Sequence, residues 1–152
     1  MLECNQPLHA NSRTDAGGNR FQISLRTPIQ PEDYARRSYV DGVMATNLHS
    51  VWDYYILASR KLDLDDYAAA LAPQPQAPLE QLAHAASTPL QWAEESCRLT
   101  EVRGFYPPEN KHRMTHHYLD QMRPLAEQRV EIGAIRLADL LNRTLGEQPA
   151  AR

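Results

Sequence analysis

His49 and Asp53 stand four positions apart in the run Asn47-Leu48-His49-Ser50-Val51-Trp52-Asp53. On a helix that spacing puts an imidazole and a carboxylate on one face, one turn apart. The pair supplies two ligands to a divalent metal, and a third from a separate segment completes a triad. His9, in Asn5-Gln6-Pro7-Leu8-His9, is the candidate for that third position. Three protein ligands with coordination positions left open is the arrangement of a catalytic zinc, whereas a structural zinc is closed by its protein ligands. The competing reading is a helix-surface pair worth roughly a few tenths of a kcal/mol. The apolar neighbours Leu48, Val51 and Trp52 place the pair beside a buried face, which favours ligation.

A pair this local needs a helix beneath it. Asn47 reads as the cap of one running to about residue 60, with Leu48, Val51, Trp52, Tyr55 and Ile56 as its apolar stripe. Upstream, the chain start reads as the last turn of a helix ended by Pro7, followed by a polar loop through Asp15-Ala16-Gly17-Gly18-Asn19. In that loop Gly17-Gly18-Asn19 is a turn signal, since glycine supplies positive φ and Asn tolerates it. Residues 21–25 alternate apolar and polar, as a short strand or hairpin arm does, and Pro28 and Pro31 end it. Residues 34–42 read as a short helix or loop. Further helices are expected over 65–72, 79–86 and 89–103, the last capped by Thr88 with Pro89 at its first position. A proline-rich connection covers 73–78, and a long final helix covers 111–145, with Pro124 as the place for a kink. The pattern is that of a mainly α fold with one short β-hairpin near the N-terminus.

A length of 152 residues with 42% hydrophobic content fits a single domain over residues 1–152. A net charge of −3 provides no broad basic field to hold a duplex by its phosphates, so any nucleic acid must be bound through metal and a local pocket. Two cysteines, Cys4 and Cys97, exclude a cysteine-rich zinc module and a disulfide-dense scaffold, leaving one bridge between them open. The start Met1-Leu2-Glu3-Cys4-Asn5 lacks the basic and apolar regions of a signal peptide, and no stretch is long enough to span a bilayer. As written, the chain is expected in the cytoplasm and away from membranes. His112, His116 and His117 read as a solvated helix face, Trp92, Tyr54 and Tyr55 as core, and Cys97 as a small buried apolar residue. Glu95-Ser96 has no histidine in its sequence context to make a nucleophilic triad.

Taken in order, Gln6-Pro7-Leu8-His9, Gly17-Gly18-Asn19 and Asn47-Leu48-His49-Ser50-Val51-Trp52-Asp53 resemble zinc-dependent single-strand-specific nucleases of the S1/P1 type, relatives of bacterial zinc phospholipase C. Trp92-Ala93-Glu94-Glu95-Ser96, the Tyr106-Pro107 step, Ile135-Arg136-Leu137-Ala138 and Leu140-Leu141-Asn142 resemble that family's closing helices. The resemblance implies a helical bundle of the zinc phospholipase C/nuclease type. It also implies hydrolysis of phosphodiesters in single-stranded DNA or RNA on a three-zinc cluster, and it raises removal of 3′-nucleotide phosphates as a related capacity. His9, His49 and Asp53 match the ligands of the zinc that holds the phosphate. Gly17 and Asn19 match the element that lines the nucleobase pocket, where unstacked single-stranded bases present their edges.

The resemblance also places a metal-bridging aspartate six positions before His9, on Glu3, whose extra methylene shifts the carboxylate by about one bond length in a site held to about 0.2 Å. The family's other ligands fall before Met1. The chain is therefore expected to correspond to the C-terminal portion of a nuclease, with the N-terminal part of the fold missing and one zinc at most. A separate chain supplying the missing half would be its partner, besides single-stranded nucleic acid or a nucleotide. Members of the family are usually secreted or periplasmic, which the start of this chain does not match. The alternatives are a catalytically inactive zinc- or nucleotide-binding remnant, and a helical interaction module.

Overall fold

The computed structural model describes residues 2–72, 77–108 and 112–145, with the side chains of Leu2, Glu3 and Ala77 outside that set. The chain opens with two 3-10 turns, Leu2–Asn5 and Pro7–Ala10. Pro7 begins the second turn where the end of a helix was expected. It occupies the first position, where a missing N–H is no loss, and the Gln6 side chain caps the turn.

The strands are β1 (Gln22–Arg26), β2 (Tyr39–Val40), β3 (Val43–Asn47) and β4 (Arg113–Met114), in the order β2-β3-β1-β4. This four-stranded sheet replaces the expected single hairpin. β1 pairs antiparallel with β3, setting Ile23 opposite Thr46 and Leu25 opposite Met44. Ile23 and Leu25 point inward and their neighbours outward, the alternation of a sheet with one covered face. The β2–β3 turn is made by Asp41 and Gly42, with φ of 50° and 76°. That left-handed pair suits the strand twist of a tight hairpin, and Asp-Gly is a favoured sequence for it. Residues Asp33–Ser38 form a 3-10 turn leading into β2.

β4 takes residues 113–114 out of the long helix expected from 111; Lys111 itself lies outside the described residues. The pairing has a visible cause: Met114 is buried, and the Ser24 N–H donates to the His112 carbonyl at 2.7 Å.

β3 runs without a break into α1 (Leu48–Ser50), because Asn47 ends the strand and caps the helix by accepting from the Ser50 N–H. A π-turn, Val51–Tyr55, follows, and α2 (Ile56–Ala58) completes the run. Next come α3 (Leu64–Leu71), α4 (Ala77–Ala85), α5 (Pro89–Leu99) and α6 (His116–Leu145). Thr88 and Gln91 close a reciprocal capping box on α5, which ends at Leu99, four residues earlier than expected. Pro78 lies in the first turn of α4 and not in the connection; the rest of that connection, 73–76, lies outside the described residues.

α6 is the backbone of the helical layer. Its buried positions include Leu119, Met122, Ala126, Arg129, Ile132 and Arg136, a stripe at three- and four-residue spacing that faces α2 and α4. The core joins this stripe to the inner face of the sheet through Leu8, Leu25, Leu48, Ile56 and Phe105. Phe105 stacks on Trp52 with ring centroids 4.3 Å apart. Both cysteines are free thiols, and Cys97 is half-exposed with its thiol near the Ser12 hydroxyl, not buried as expected. No helix among the described residues is long and apolar enough to cross a membrane.

Candidate metal centre

His9, His49 and Asp53 come together. Each offers one ligand atom, and the three atoms lie within 4.8 Å of one another; among the described residues this is the one group of three that could hold a metal. His49 Nε2 is 3.2 Å from Asp53 Oδ2, and His9 Nε2 is 3.5 Å from Asp53 Oδ1. The two imidazoles lie nearly parallel, at 18°, with centroids 5.0 Å apart.

The elements explain the convergence. The cap at Asn47 starts α1 at the end of β3, so His49 sits on the first turn. Asp53 follows in the π-turn, where the Ile56 N–H reaches back five residues to the Val51 carbonyl. Single π-turns inside helices concentrate at functional sites. His9 arrives on the turn Pro7–Ala10, which packs against α5.

The tautomer of His49 follows from its partner. Its Nδ1 lies 2.8 Å from the Gly17 carbonyl, which can only accept, so Nδ1 carries the proton and Nε2 presents its lone pair to the centre. Gly17 is able to come this close because it has no side chain. With φ +63°, a Cβ there would stand 2.5 Å from the Leu8 carbonyl oxygen and 3.6 Å from His49 Nδ1.

This donor set fits a zinc ion. Two imidazoles and a carboxylate bring one nitrogen or oxygen ligand atom each within 4.8 Å of one another, a donor set of the kind that binds zinc. A tetrahedron with bonds of about 2.0 Å has edges of about 3.3 Å; His49 Nε2 and Asp53 Oδ2 are separated by 3.2 Å, while His9 Nε2 faces the other carboxylate oxygen, Oδ1, at 3.5 Å.

The remaining expected residues fall as follows. Gly17 lines an open cleft of about 590 Å³ with His9, His49, Asn11 and Arg13. Asn19 is exposed on the same loop, and its amide donates to the Ala16 carbonyl at 3.0 Å. Arg13 lies over the Tyr106 ring at the cleft rim, 4.2 Å from its centroid. Burial, with Asp15 nearby, raises the Tyr106 hydroxyl above its ordinary range and keeps it protonated. Glu3 belongs to the turn Leu2–Asn5, and its side chain lies outside the described residues. His112 and His116 serve the sheet, against the Gln22 carbonyl and the Thr27 hydroxyl.

Two features next to the centre escape a reading of local spacing. The Gln6 amide donates to Asp53 Oδ1 at 2.7 Å. Behind it, the guanidinium groups of Arg129 and Arg136, 4% and 3% exposed, share the carboxylate of Glu95 and the side chain of Asn5. Ser96, read as having no catalytic partner, is buried in this cluster and accepts from Arg129. The one sequence signal for Gln6 is its place before Pro7, the position of a cap.

A family model described as S1/P1 Nuclease matches residues 3–146 of the chain. A search of curated proteins returned no match.

Proposed function

Because the chain belongs to the S1/P1 nuclease family, we propose that it acts on phosphodiester bonds of single-stranded DNA or RNA with a zinc ion held by His9, His49 and Asp53. The observation that carries this reading is the convergence of three lone-pair donors from two separate segments within 4.8 Å. When bound, zinc supplies Lewis acidity toward a phosphate oxygen.

The chain's own residues do the rest. The Gly17 carbonyl holds the His49 proton on Nδ1 and keeps Nε2 available. Three protein ligands leave room for a phosphate oxygen. Beside them, Gly17 and Asn19 offer backbone and amide groups to a base edge, which a duplex keeps paired and a single strand exposes. The net charge of −3 agrees with binding through this local site and not through a broad phosphate-tracking surface.

A second reading has one observation in its favour. Among the described residues a single group could hold a metal, which suits a zinc- or nucleotide-binding chain with little hydrolysis of its own. One assay separates the two: cleavage of single-stranded DNA, single-stranded RNA and duplex DNA by the zinc-loaded full chain and by Asp53→Asn. The proposal expects single strands to be cut at least about tenfold faster than duplex, with the rate lost in Asp53→Asn and on chelation. Zinc uptake without cleavage would replace it with the second reading.

A further inference from the structure

We propose that Gln6 is the positioning residue of the metal centre, one amide that orients both the Asp53 carboxylate and the His9 segment, itself held in place through Asn5 by the buried arginines of α6. The inference rests on the zinc reading of the trio and adds to it a residue outside the ligand set.

The Gln6 side chain works at both ends. Its Nε2 donates to Asp53 Oδ1 at 2.7 Å, and its Oε1 accepts from the N–H groups of Leu8 and His9. A planar amide cannot move one end without the other. The carboxylate ligand on the π-turn and the backbone of the histidine ligand, 44 positions apart in the chain, are thereby set against a common rigid group.

Asp53 needs such a partner. Its side chain is 42% exposed, and the terminal torsion of a carboxylate is broad and two-fold, so nothing intrinsic selects which oxygen faces the imidazoles. Gln6 holds Oδ1, the oxygen that lies 3.5 Å from His9 Nε2, and this leaves Oδ2 turned to His49 Nε2. Hydrogen bonds of this kind to ligand carboxylates orient the ligand and contribute to metal affinity.

Gln6 is in turn anchored by its neighbour. Arg129 donates through Nε to the Asn5 carbonyl at 3.1 Å and through Nη2 to Asn5 Oδ1 at 3.2 Å, while Arg136 Nη1 donates to the same Oδ1 at 2.7 Å. Arginine keeps its charge at any working pH, and its planar fork fixes the direction of each bond. Two guanidinium groups against the single Glu95 carboxylate leave a surplus of positive charge, which the Asn5 oxygens face. The Ala83 carbonyl accepts from Arg136 Nε and the Ser96 hydroxyl from Arg129 Nη2, so each guanidinium is held on more than one side.

A cap alone would not require this. Capping uses only Oε1, and a shorter side chain performs it as well or better. Serine and asparagine at position 6 therefore separate the two roles. Both are good caps, but asparagine falls short of Asp53 by one methylene, about 1.5 Å, and serine by more.

The test measures zinc affinity by competition with a chromophoric chelator, the visible spectrum of the cobalt-loaded protein, and the melting temperature of the metal-free protein, for wild type, Gln6→Ser, Gln6→Asn and His49→Ala. Both Gln6 variants should bind zinc about 10- to 100-fold more weakly and show an altered cobalt spectrum. Their metal-free melting temperatures should match wild type. Wild-type affinity and spectrum in the Gln6 variants, with His49→Ala defective, would overturn this proposal alone. Zinc binding by wild type no tighter than by His49→Ala would overturn the metal reading and this inference with it. Affinity lost only in step with metal-free stability would assign Gln6 a capping role and no other.

Discussion

Replacing Gly17 with alanine should damage fold and metal centre together, and Gly42→Ala provides the comparison that separates the causes. Both glycines have positive φ, +63° at Gly17 and +76° at Gly42. Placing a side chain in that conformation costs about 1–2 kcal/mol at either position. At Gly42 nothing stands within 4 Å of the added methyl, so that term is the whole effect. At Gly17 the methyl would lie 2.5 Å from the Leu8 carbonyl oxygen, a backbone atom of a residue that is 2% exposed. Relieving that overlap shifts the segment carrying His9 and adds about 1–3 kcal/mol. For a chain of this size 1 kcal/mol corresponds to about 2–4 °C. Gly42→Ala should thus melt about 3–5 °C below wild type and Gly17→Ala about 8–12 °C below, by circular dichroism on metal-free protein. Zinc affinity should fall about tenfold or more in Gly17→Ala, because the Gly17 carbonyl and the Leu8–His9 backbone both move, and should not change in Gly42→Ala. Equal melting of the two variants, or unchanged zinc affinity in Gly17→Ala, would refute the steric argument.

The buried charge cluster gives a pH signature. Burial pushes the Glu95 carboxyl up, but hydrogen bonds from Arg136 and Arg129 outweigh it and hold the group below the ordinary value of 4.5. A lowered folded value contributes stability that is full above the unfolded value and is lost as pH falls through the folded one. Wild type should therefore exceed Glu95→Gln by about 2–4 kcal/mol near neutrality, the 28% exposure of Glu95 trimming the effect, and the gap should close as pH drops below 4.5; a gap independent of pH in urea titrations would contradict it. In the core, Phe105 is fully buried against Trp52, and Phe105→Ala should cost about 3–5 kcal/mol by chemical denaturation, with a value under about 1 kcal/mol showing that the stack is not structural.

What could be read beforehand was local. His49 and Asp53 are four residues apart, and helix geometry alone brings them together; the Asn47 cap and the Thr88 box lie within one turn of what they cap. The glycine turn at Gly17 and Gly18 was likewise a matter of adjacent residues. Long-range partnerships were hidden. Gln6 meets Asp53 across 47 positions, and Arg136 meets Asn5 across 131. Local spacing does not show that Arg129 and Arg136 are buried; only the assembled fold does. The strand at Arg113–Met114 is two residues long and exists because an edge of β1 about 90 positions earlier accepts it. Pro7 is ambiguous for a different reason: proline both ends one helix and starts another, and only the Gln6 cap decides between them.

Metal content per chain tests directly whether His9, His49 and Asp53 hold a zinc ion. Wild type, His49→Ala and Asp53→Ala, each purified with zinc present and passed over a chelating resin, should differ: zinc retained in wild type and lost in both variants. Zinc absent from wild type, or retained equally in His49→Ala and Asp53→Ala, would contradict the account.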